Sequence, residues 1–459
     1  MWASTTDDNA VYEQSDKRMC QLINIRGTSI ADRFLSVSQY LTLSFGTVPM
    51  ERRKTLIYKE FKGQKLSQLG FGCMRFATDP ATGQIDQEKV NAMFDLAIKG
   101  GVNYFDTAYP YLGGKSESAM AAALSRYPRE SYFIADKFPG HCLTKPIDNF
   151  ALFSLSLKKC RTEYFDYYLL HNVMEWSLKY YESEEYHILP DLLQMKEEGK
   201  IRSLGFSCHA DPGLLDAFLS EHEGIFDFVQ IQLNYLDWTL QDAKEKYEII
   251  TRHGLGVWVM EPCRGGRLAN LPESESAKLK ALQKENGVSG SFSGDASYAF
   301  RFLQDLPNVQ VILSGMNEVK QVEENLRTFR EKRPLTSQEK AVLMDIAEHL
   351  KHGVPCTACR YCCDGCPAGL DIPYLLACYN DYQFASTMTP SMKIDALEEE
   401  KRPAACIGCG KCRRACPQKI DVPSTLAKLD RIFQDGPHWI DQVAVREKVM
   451  KEELGRCES

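Results

Sequence analysis

The chain has 459 residues, a net charge of −7 and a pI near 5.8, so it has room for one large domain plus a smaller one and carries the wrong sign of charge for a nucleic-acid partner. It contains no run of 18 apolar residues, which argues against a membrane span, and the apolar stretch FLSVSQYLTLSFG (34–46) is broken by Ser, Gln and Thr and lacks a small-residue cleavage site. A cytoplasmic protein is expected, and its 17 cysteines, nine of them in two short clusters, point to metal binding and away from a disulfide scaffold.

Residues 1–49 show no sustained period and are expected to form a disordered or non-core extension, with Met50 as an alternative start that N-terminal mass spectrometry would reveal. From there the text becomes regular. Eight β-rich runs follow: LGFGCM (69–74), VNYFDTA (102–108), YFIADKF (132–138), YFDYYLLH (164–171), RSLGFSC (202–208), FDFVQIQLN (226–234), GVWVMEP (256–262) and VQVILSG (309–315). Helical segments lie between them, as in EKVNAMFDLAIKGG (88–101), where Val90, Met93, Phe94, Ala97 and Ile98 share one face. Strand alternating with helix implies a parallel sheet, and eight units fit a closed (β/α)8 barrel. An open doubly wound sheet would want a glycine-rich phosphate turn after its first strand, and GFGCMR (70–75) is not one.

Polar residues at the C-terminal ends of barrel strands are the candidates for catalysis. Asp106 and Tyr111 follow the second run, Lys137 ends the third and His171 ends the fourth. Each alone has a structural explanation, as a loop cap, a half-buried aromatic, a rim charge or a core histidine. Together they offer a phenol to donate a proton, an ammonium to lower its pKa, a carboxylate to hold the ammonium and an imidazole to orient a carbonyl.

The stretches GVNYFDTAYPYLGGKSE (101–117), FIADK (133–137), YYLLH (167–171) and GFS (205–207) resemble the successive signatures of the aldo/keto reductases, over roughly residues 55–330. The resemblance implies a TIM barrel that binds NADP(H) or NAD(H) and carries the tetrad Asp106, Tyr111, Lys137 and His171. Hydride transfer would reduce a small carbonyl substrate, or oxidise an alcohol in reverse, with Tyr111 as the acid. The same resemblance implies cofactor contacts from Ser207, Gln230, Gly315, Met316, Gln321, Glu324 and Asn325. Cys208 stands where many members have asparagine, and Met260 where many stack a tyrosine on the nicotinamide. Gln321 and Asn317 stand where a cation commonly grips a 2′-phosphate, which leaves NADH and NADPH both open. Arg264 and Arg267, beside two glycines, would serve the pyrophosphate or lie on a solvated loop.

CTACRYCCDGCP (356–367) and CIGCGKCRRACP (406–417) share the spacing C-x2-C-x2-C-x3-C-P. Three thiolates so close can wrap a cubane, whereas zinc sites are usually assembled from two separated pairs. In two-cluster ferredoxins the fourth cysteine reaches the other cluster, which explains the doubling. Two [4Fe–4S] clusters are expected on the eight cysteines Cys356, Cys359, Cys362, Cys366, Cys406, Cys409, Cys412 and Cys416, each motif completing its partner, with Cys363 spare. CPAGLDIP (366–373) and CPQKIDVP (416–423) extend the repeat, with Asp371 and Asp421 as expected helix caps.

The expected organisation is therefore an extension at 1–49, a barrel at 50–335 and a mostly α-helical iron–sulfur domain resembling two-cluster ferredoxin modules at 336–459. The short link 331–340 should hold this tail against the barrel, at the pocket mouth where strand C-termini gather. Nicotinamide passes two electrons and a cluster one, so a redox protein partner or a second cofactor is expected, with no nucleic-acid or membrane partner. The competing reading is an idle barrel that serves as scaffold for an electron-transfer or docking module of a larger complex.

Overall fold

The computed structural model describes residues 55–455 apart from 80–81, 176, 287–293, 352, 355, 357–358 and 385–387. The expected extension at 1–49 lies outside the described residues.

The description begins with a hairpin that periodicity did not reveal, β1 (Tyr58–Phe61) and β2 (Gln64–Ser67), paired antiparallel through Lys62 and Gly63, both at positive φ. Its apolar side closes one end of the barrel. Leu66 and Phe61 pack into the interior cluster with Tyr104, Tyr167 and Trp258, and the Phe61 ring meets Trp258 edge-on at 4.8 Å.

All eight expected strands form. They are β3 (Leu69–Gly72), β4 (Tyr104–Asp106), β5 (Phe133–Phe138), β6 (Phe165–Val173), β7 (Ile201–Cys208), β8 (Phe228–Gln232), β9 (Gly256–Met260) and β10 (Val309–Gly315). Every neighbouring pair is parallel, and β10 returns to β3 to close the barrel. Alternation sends Ala135 and Lys137 of β5 inward, while Ile134 and Asp136 face the helical layer. The C-terminal strand ends thus collect Asp106, Lys137, His171, Ser207, Gln230, Met260 and Gly315 at one mouth.

The helix Ser337–Leu350 belongs with the barrel. Leu343, Ile346, Ala347 and Leu350 enter the barrel's main hydrophobic core, and Glu339 forms a fully buried ion pair with Arg301 at 2.8 Å. We propose on this packing that the domain division falls after Leu350, later than the 335/336 expected.

Beyond it, the helices Ile372–Phe384 and Val422–Asp435 share a separate core of Leu375, Leu376, Ile394, Leu426, Leu429 and Phe433. Asp371 caps as expected, accepting from the Tyr374 N–H at 3.3 Å. Asp421 makes no side-chain cap; its carboxylate lies 3.6 Å from Arg413 instead. The last helix, Trp439–Gly455, runs back to the barrel, where Met450 joins the main core and Glu453 accepts from the Tyr109 hydroxyl at 2.7 Å. Further contacts from loops after β8 and β9 reach the tail: Gln241 donates to Asp381 at 2.9 Å, and Arg264 lies 3.4 Å from the same carboxylate. The tail therefore packs at the mouth. Among the described residues no helix is long and apolar enough to cross a membrane.

Breaking the Arg301–Glu339 pair from one side strands a buried charge. Arg301→Met should cost about 3–5 kcal/mol in a denaturant titration, whereas Arg327→Met, whose pair with Glu323 is half exposed, should cost under about 1 kcal/mol.

Candidate functional site

The centre of the mouth is a buried ammonium. Lys137 has no solvent exposure and donates to Asp106 Oδ1 at 2.5 Å and to the Thr107 carbonyl at 2.7 Å. Burial works against its charge, but Asp106, Tyr111 and Asp136 outweigh burial and raise its pKa above the ordinary lysine value. Its Nζ lies 4.9 Å from the centre of the Tyr111 ring. Tyr111 starts the turn Tyr111–Gly114, whose reversal through Leu112 and Gly113 at positive φ sets the ring over the strand ends. Burial raises the Tyr111 phenol above its usual range; Lys137 opposes that shift without reversing it.

His171 meets Tyr111 edge-on at 5.6 Å. Burial, then His141 and Lys137, hold its imidazole neutral, well below the ordinary histidine range, and Nδ1 has no hydrogen-bond partner. The four expected residues are thus brought together.

Sequence reading missed the far side of His171. His141, in the turn after β5, packs edge-on to His171 at 4.5 Å and lies parallel to Trp439 of the tail at 5.4 Å and 11°. Trp439 is 7% exposed and shares an apolar cluster with Cys142, Met392 and Val443, so the tail builds one wall of the mouth. Burial, then the Arg446 guanidinium, pushes His141 down to about 3. The only sequence signal was a tryptophan at a helix start, GPHWI (436–440), with nothing to indicate what it would meet.

On the other side runs a cavity of about 430 Å³ that includes Asp106, Tyr111, Gln230 and Met260 at one end and Gly315, Met316, Gln321, Glu324 and Asn325 at the other. Near the tetrad, Ser207 and Gln230 are register partners on β7 and β8, and the Gln230 Oε1 has no partner. Ser207 Oγ accepts the Asn172 N–H at 2.8 Å. Asn172 is a residue that sequence reading passed over: it stands at positive φ (64°), is buried, and has no partner for either side-chain amide atom. Cys208 is buried in the helix-side core.

At the distal end Gln321 Oε1 accepts from the Asn317 N–H at 2.8 Å and completes a capping box with Glu318, and Asn325 donates to Ser314 at 3.0 Å. Among the described residues lining the cavity, Arg75 alone is cationic, against Asp106, Glu261, Asp295 and Glu324, and it lies 3.3 Å from Glu261. The expectation for Arg264 and Arg267 is corrected. Arg264 is buried between Asp237 and Asp381, and Arg267 donates to the Gln383 carbonyl at 3.1 Å, so both are drawn to the tail while Gly265 and Gly266 line the cavity.

In the tail the cysteines gather as two crossed sets. Cys356, Cys359 and Cys362 surround one small cavity with Cys416, and Cys406, Cys409 and Cys412 surround another with Cys366. Each set has three thiols from one motif and the last from the other, with walls of Leu376, Ile420 and Val422 or of Leu370, Ile372 and Leu426. None of these thiols is in a disulfide, and Cys363 lines neither cavity. Four sulfurs around an apolar-walled hollow suit an iron–sulfur cubane.

The molecule is thus a closed parallel barrel with ionisable groups gathered at its strand ends and a tail whose two cysteine motifs enclose a pair of hollows. Comparison with known proteins makes this specific: the sequence model of the aldo/keto reductase family matches residues 68–348, and that of a 4Fe–4S dicluster domain matches 355–420. The chain belongs to the aldo/keto reductase family. It is 28% identical to L-galactose dehydrogenase of Arabidopsis thaliana over 299 residues, 59% of this chain and 86% of that one. It is 26% identical to the NADH-specific methylglyoxal reductase of Escherichia coli over 48% of this chain and 73% of that one. The thermostable aldo-keto reductase Tm1743, solved with the inhibitor epalrestat, superposes with a TM-score of 0.51 at 24% identity, covering 63% of this chain and all of that one.

Removal of the Trp439 indole should cost about 3–5 kcal/mol of local packing. Trp439→Ala is expected to speed amide exchange across 439–455 while leaving exchange in 337–350 unchanged.

Proposed function

We propose that this oxidoreductase reduces a small carbonyl compound with NADH, or oxidises the corresponding alcohol, and that its tail holds two [4Fe–4S] clusters. The observation that carries the reading is the buried Lys137–Asp106 pair set against the Tyr111 ring, with a neutral His171 beside it. When bound, the nicotinamide supplies hydride to the carbonyl carbon. Tyr111 donates its hydroxyl proton to the developing alkoxide. Lys137, kept charged by Asp106, stabilises the phenolate left behind, a demand that is sharpest because burial otherwise keeps the phenol protonated. His171, neutral at working pH, hydrogen-bonds the carbonyl oxygen and orients it.

Ser207, Gln230 and Asn172 would hold the carboxamide, with Asn172 making good the asparagine absent at Cys208. Gly315, Met316, Gln321, Glu324 and Asn325 would hold the adenosine end. Glu324 at this end, with Gln321 committed to a helix cap, favours NADH, in keeping with the name of the bacterial methylglyoxal reductase among its relatives. Cys356, Cys359, Cys362 and Cys416 would ligate one cluster, and Cys406, Cys409, Cys412 and Cys366 the other.

Tyr111→Phe and Lys137→Met should each lower turnover of a carbonyl panel roughly 10²-fold or more with iron content unchanged; near wild-type rates in both would leave the barrel an idle scaffold. Wild-type protein should prefer NADH, and Gln321→Arg combined with Glu324→Lys should shift the preference toward NADPH, read as the ratio of kcat/KM values. Reconstitution should give about eight irons and eight sulfides per chain. Cys366→Ser should disturb the cluster of the second motif, the one most distant from it in sequence, while the first persists in low-temperature electron spin resonance; Cys363→Ser should keep both.

A further inference from the structure

Around the second cysteine motif the charge of the molecule reverses. Residues 401–420 contain Lys401, Arg402, Lys411, Arg413, Arg414 and Lys419 and no carboxylate, in a chain whose net charge is −7. Two of these cations are used structurally: Lys401 donates to the Ala368 and Gly369 carbonyls, and Arg402 to those of Leu397 and Asp395. Arg413 faces Asp421 at 3.6 Å. Lys411, Arg414 and Lys419 are exposed and form no ion pair among the described residues. Just before them in the chain, Ile407 is 69% exposed and Cys409 is exposed, so the hollow enclosed by Cys406, Cys409, Cys412 and Cys366 reaches the surface at an apolar spot followed by unneutralised cations. The first motif differs: Arg360 is neutralised by Asp371 at 3.0 and 3.2 Å, and Asp364 is exposed beside it.

We propose that the face made by Ile407, Cys409, Lys411, Arg414 and Lys419 is the docking surface for an acidic one-electron carrier protein, which makes the second cluster the port between this enzyme and its partner. The proposal rests on the reading that the tail holds clusters. An exposed apolar residue beside an exposed ligand is where a small, transient electron-transfer contact can form, and such contacts need little area. The surrounding cations attract an acidic carrier to this face, while the net negative charge elsewhere repels it, so encounter and orientation come from one charge pattern. In each encounter a single electron passes between carrier and cluster, one being oxidised as the other is reduced, and no atom is exchanged. Two such steps carry the two electrons of one hydride equivalent, whose proton is exchanged with water.

The test uses the full-length, anaerobically reconstituted protein and two probes of opposite charge: a reduced acidic [2Fe–2S] ferredoxin as donor, and cationic cytochrome c as acceptor from the dithionite-reduced protein. The second-order rate with ferredoxin should fall about tenfold or more between low and 0.2 M salt. A similar loss is expected at low salt in the triple variant Lys411→Glu, Arg414→Glu, Lys419→Glu, whereas its rate with cytochrome c should rise. Lys411→Gln with Lys419→Gln replaces the triple if that variant loses iron, with a smaller change of the same sign. Each variant's cluster potentials are titrated in parallel. Rates indifferent to salt and to charge, or changes fully explained by altered potentials, overturn the proposal and leave the cations as counter-charge for the cluster. Absence of iron and sulfide after reconstitution overturns the cluster reading as well.

Discussion

A charged ammonium with no access to water is tolerable only if other groups replace its hydration shell, and uncompensated it would cost several kcal/mol. Lys137 meets that demand with one carboxylate and one backbone carbonyl, both supplied by the end of the neighbouring strand. The constraint then propagates. Asp106 must end β4 paired with Ala135 of β5, two residues before Lys137, and the chain must turn sharply through Leu112 and Gly113 to bring the Tyr111 ring over Nζ. The inward and outward alternation of β5 follows from the same requirement. With Lys137 inward, Asp136 is forced into the helical layer, where it sits fully buried beside Glu117 and Cys160 and is pushed toward its neutral form by burial.

The tail is governed by a different constraint. Each motif can put only three of its thiols around its own hollow, because the fourth stands after a three-residue step that carries it to the start of the next helix, Cys366 ahead of 372–384 and Cys416 ahead of 422–435. The two helices pack on each other, so each last cysteine is delivered to the opposite hollow. Neither hollow gains its fourth thiol without the other motif. Apolar contact between the helices therefore favours the arrangement that the proposed clusters require, and in that reading metal affinity becomes part of the folding free energy of the module.

Much of this was legible in the text of the chain. Parallel strands buried on both faces read as apolar runs, and all eight were found, as were the four strand-end residues and the cysteine spacing. What escaped depended on distance or on competition. The hairpin YKEF and QKLS looks polar because only Phe61 and Leu66 turn inward, and its turn carries lysine where asparagine or aspartate would have announced it. Arg264 beside two glycines read equally as a phosphate ligand or as part of a solvated loop, but the appended tail offers Asp381 and the barrel Asp237, and two buried carboxylates hold it in neither place. Asp421 repeats Asp371 in sequence but not as a cap: each carboxylate faces an arginine, Arg413 or Arg360, yet only Asp371 also accepts from the first turn of its helix, a difference that the shared spelling does not encode. Stacking of Trp439 on His141 joins residues some 300 positions apart, and no local pattern encodes such a pairing.

The last helix gives the tail a second point of attachment. The module leaves the barrel at Leu350 and returns to it through Trp439, Met450 and Glu453, so it is fastened at both ends like a clasp. A module hung from a single linker could lose its metal and unravel without disturbing its neighbour. Here an unravelled tail would also pull the indole from His141 and the carboxylate from Tyr109, two residues before Tyr111. The opening of the barrel is thereby made mechanically dependent on the order of the tail, so whatever holds the tail together is felt at a strand end some 300 residues earlier in the chain.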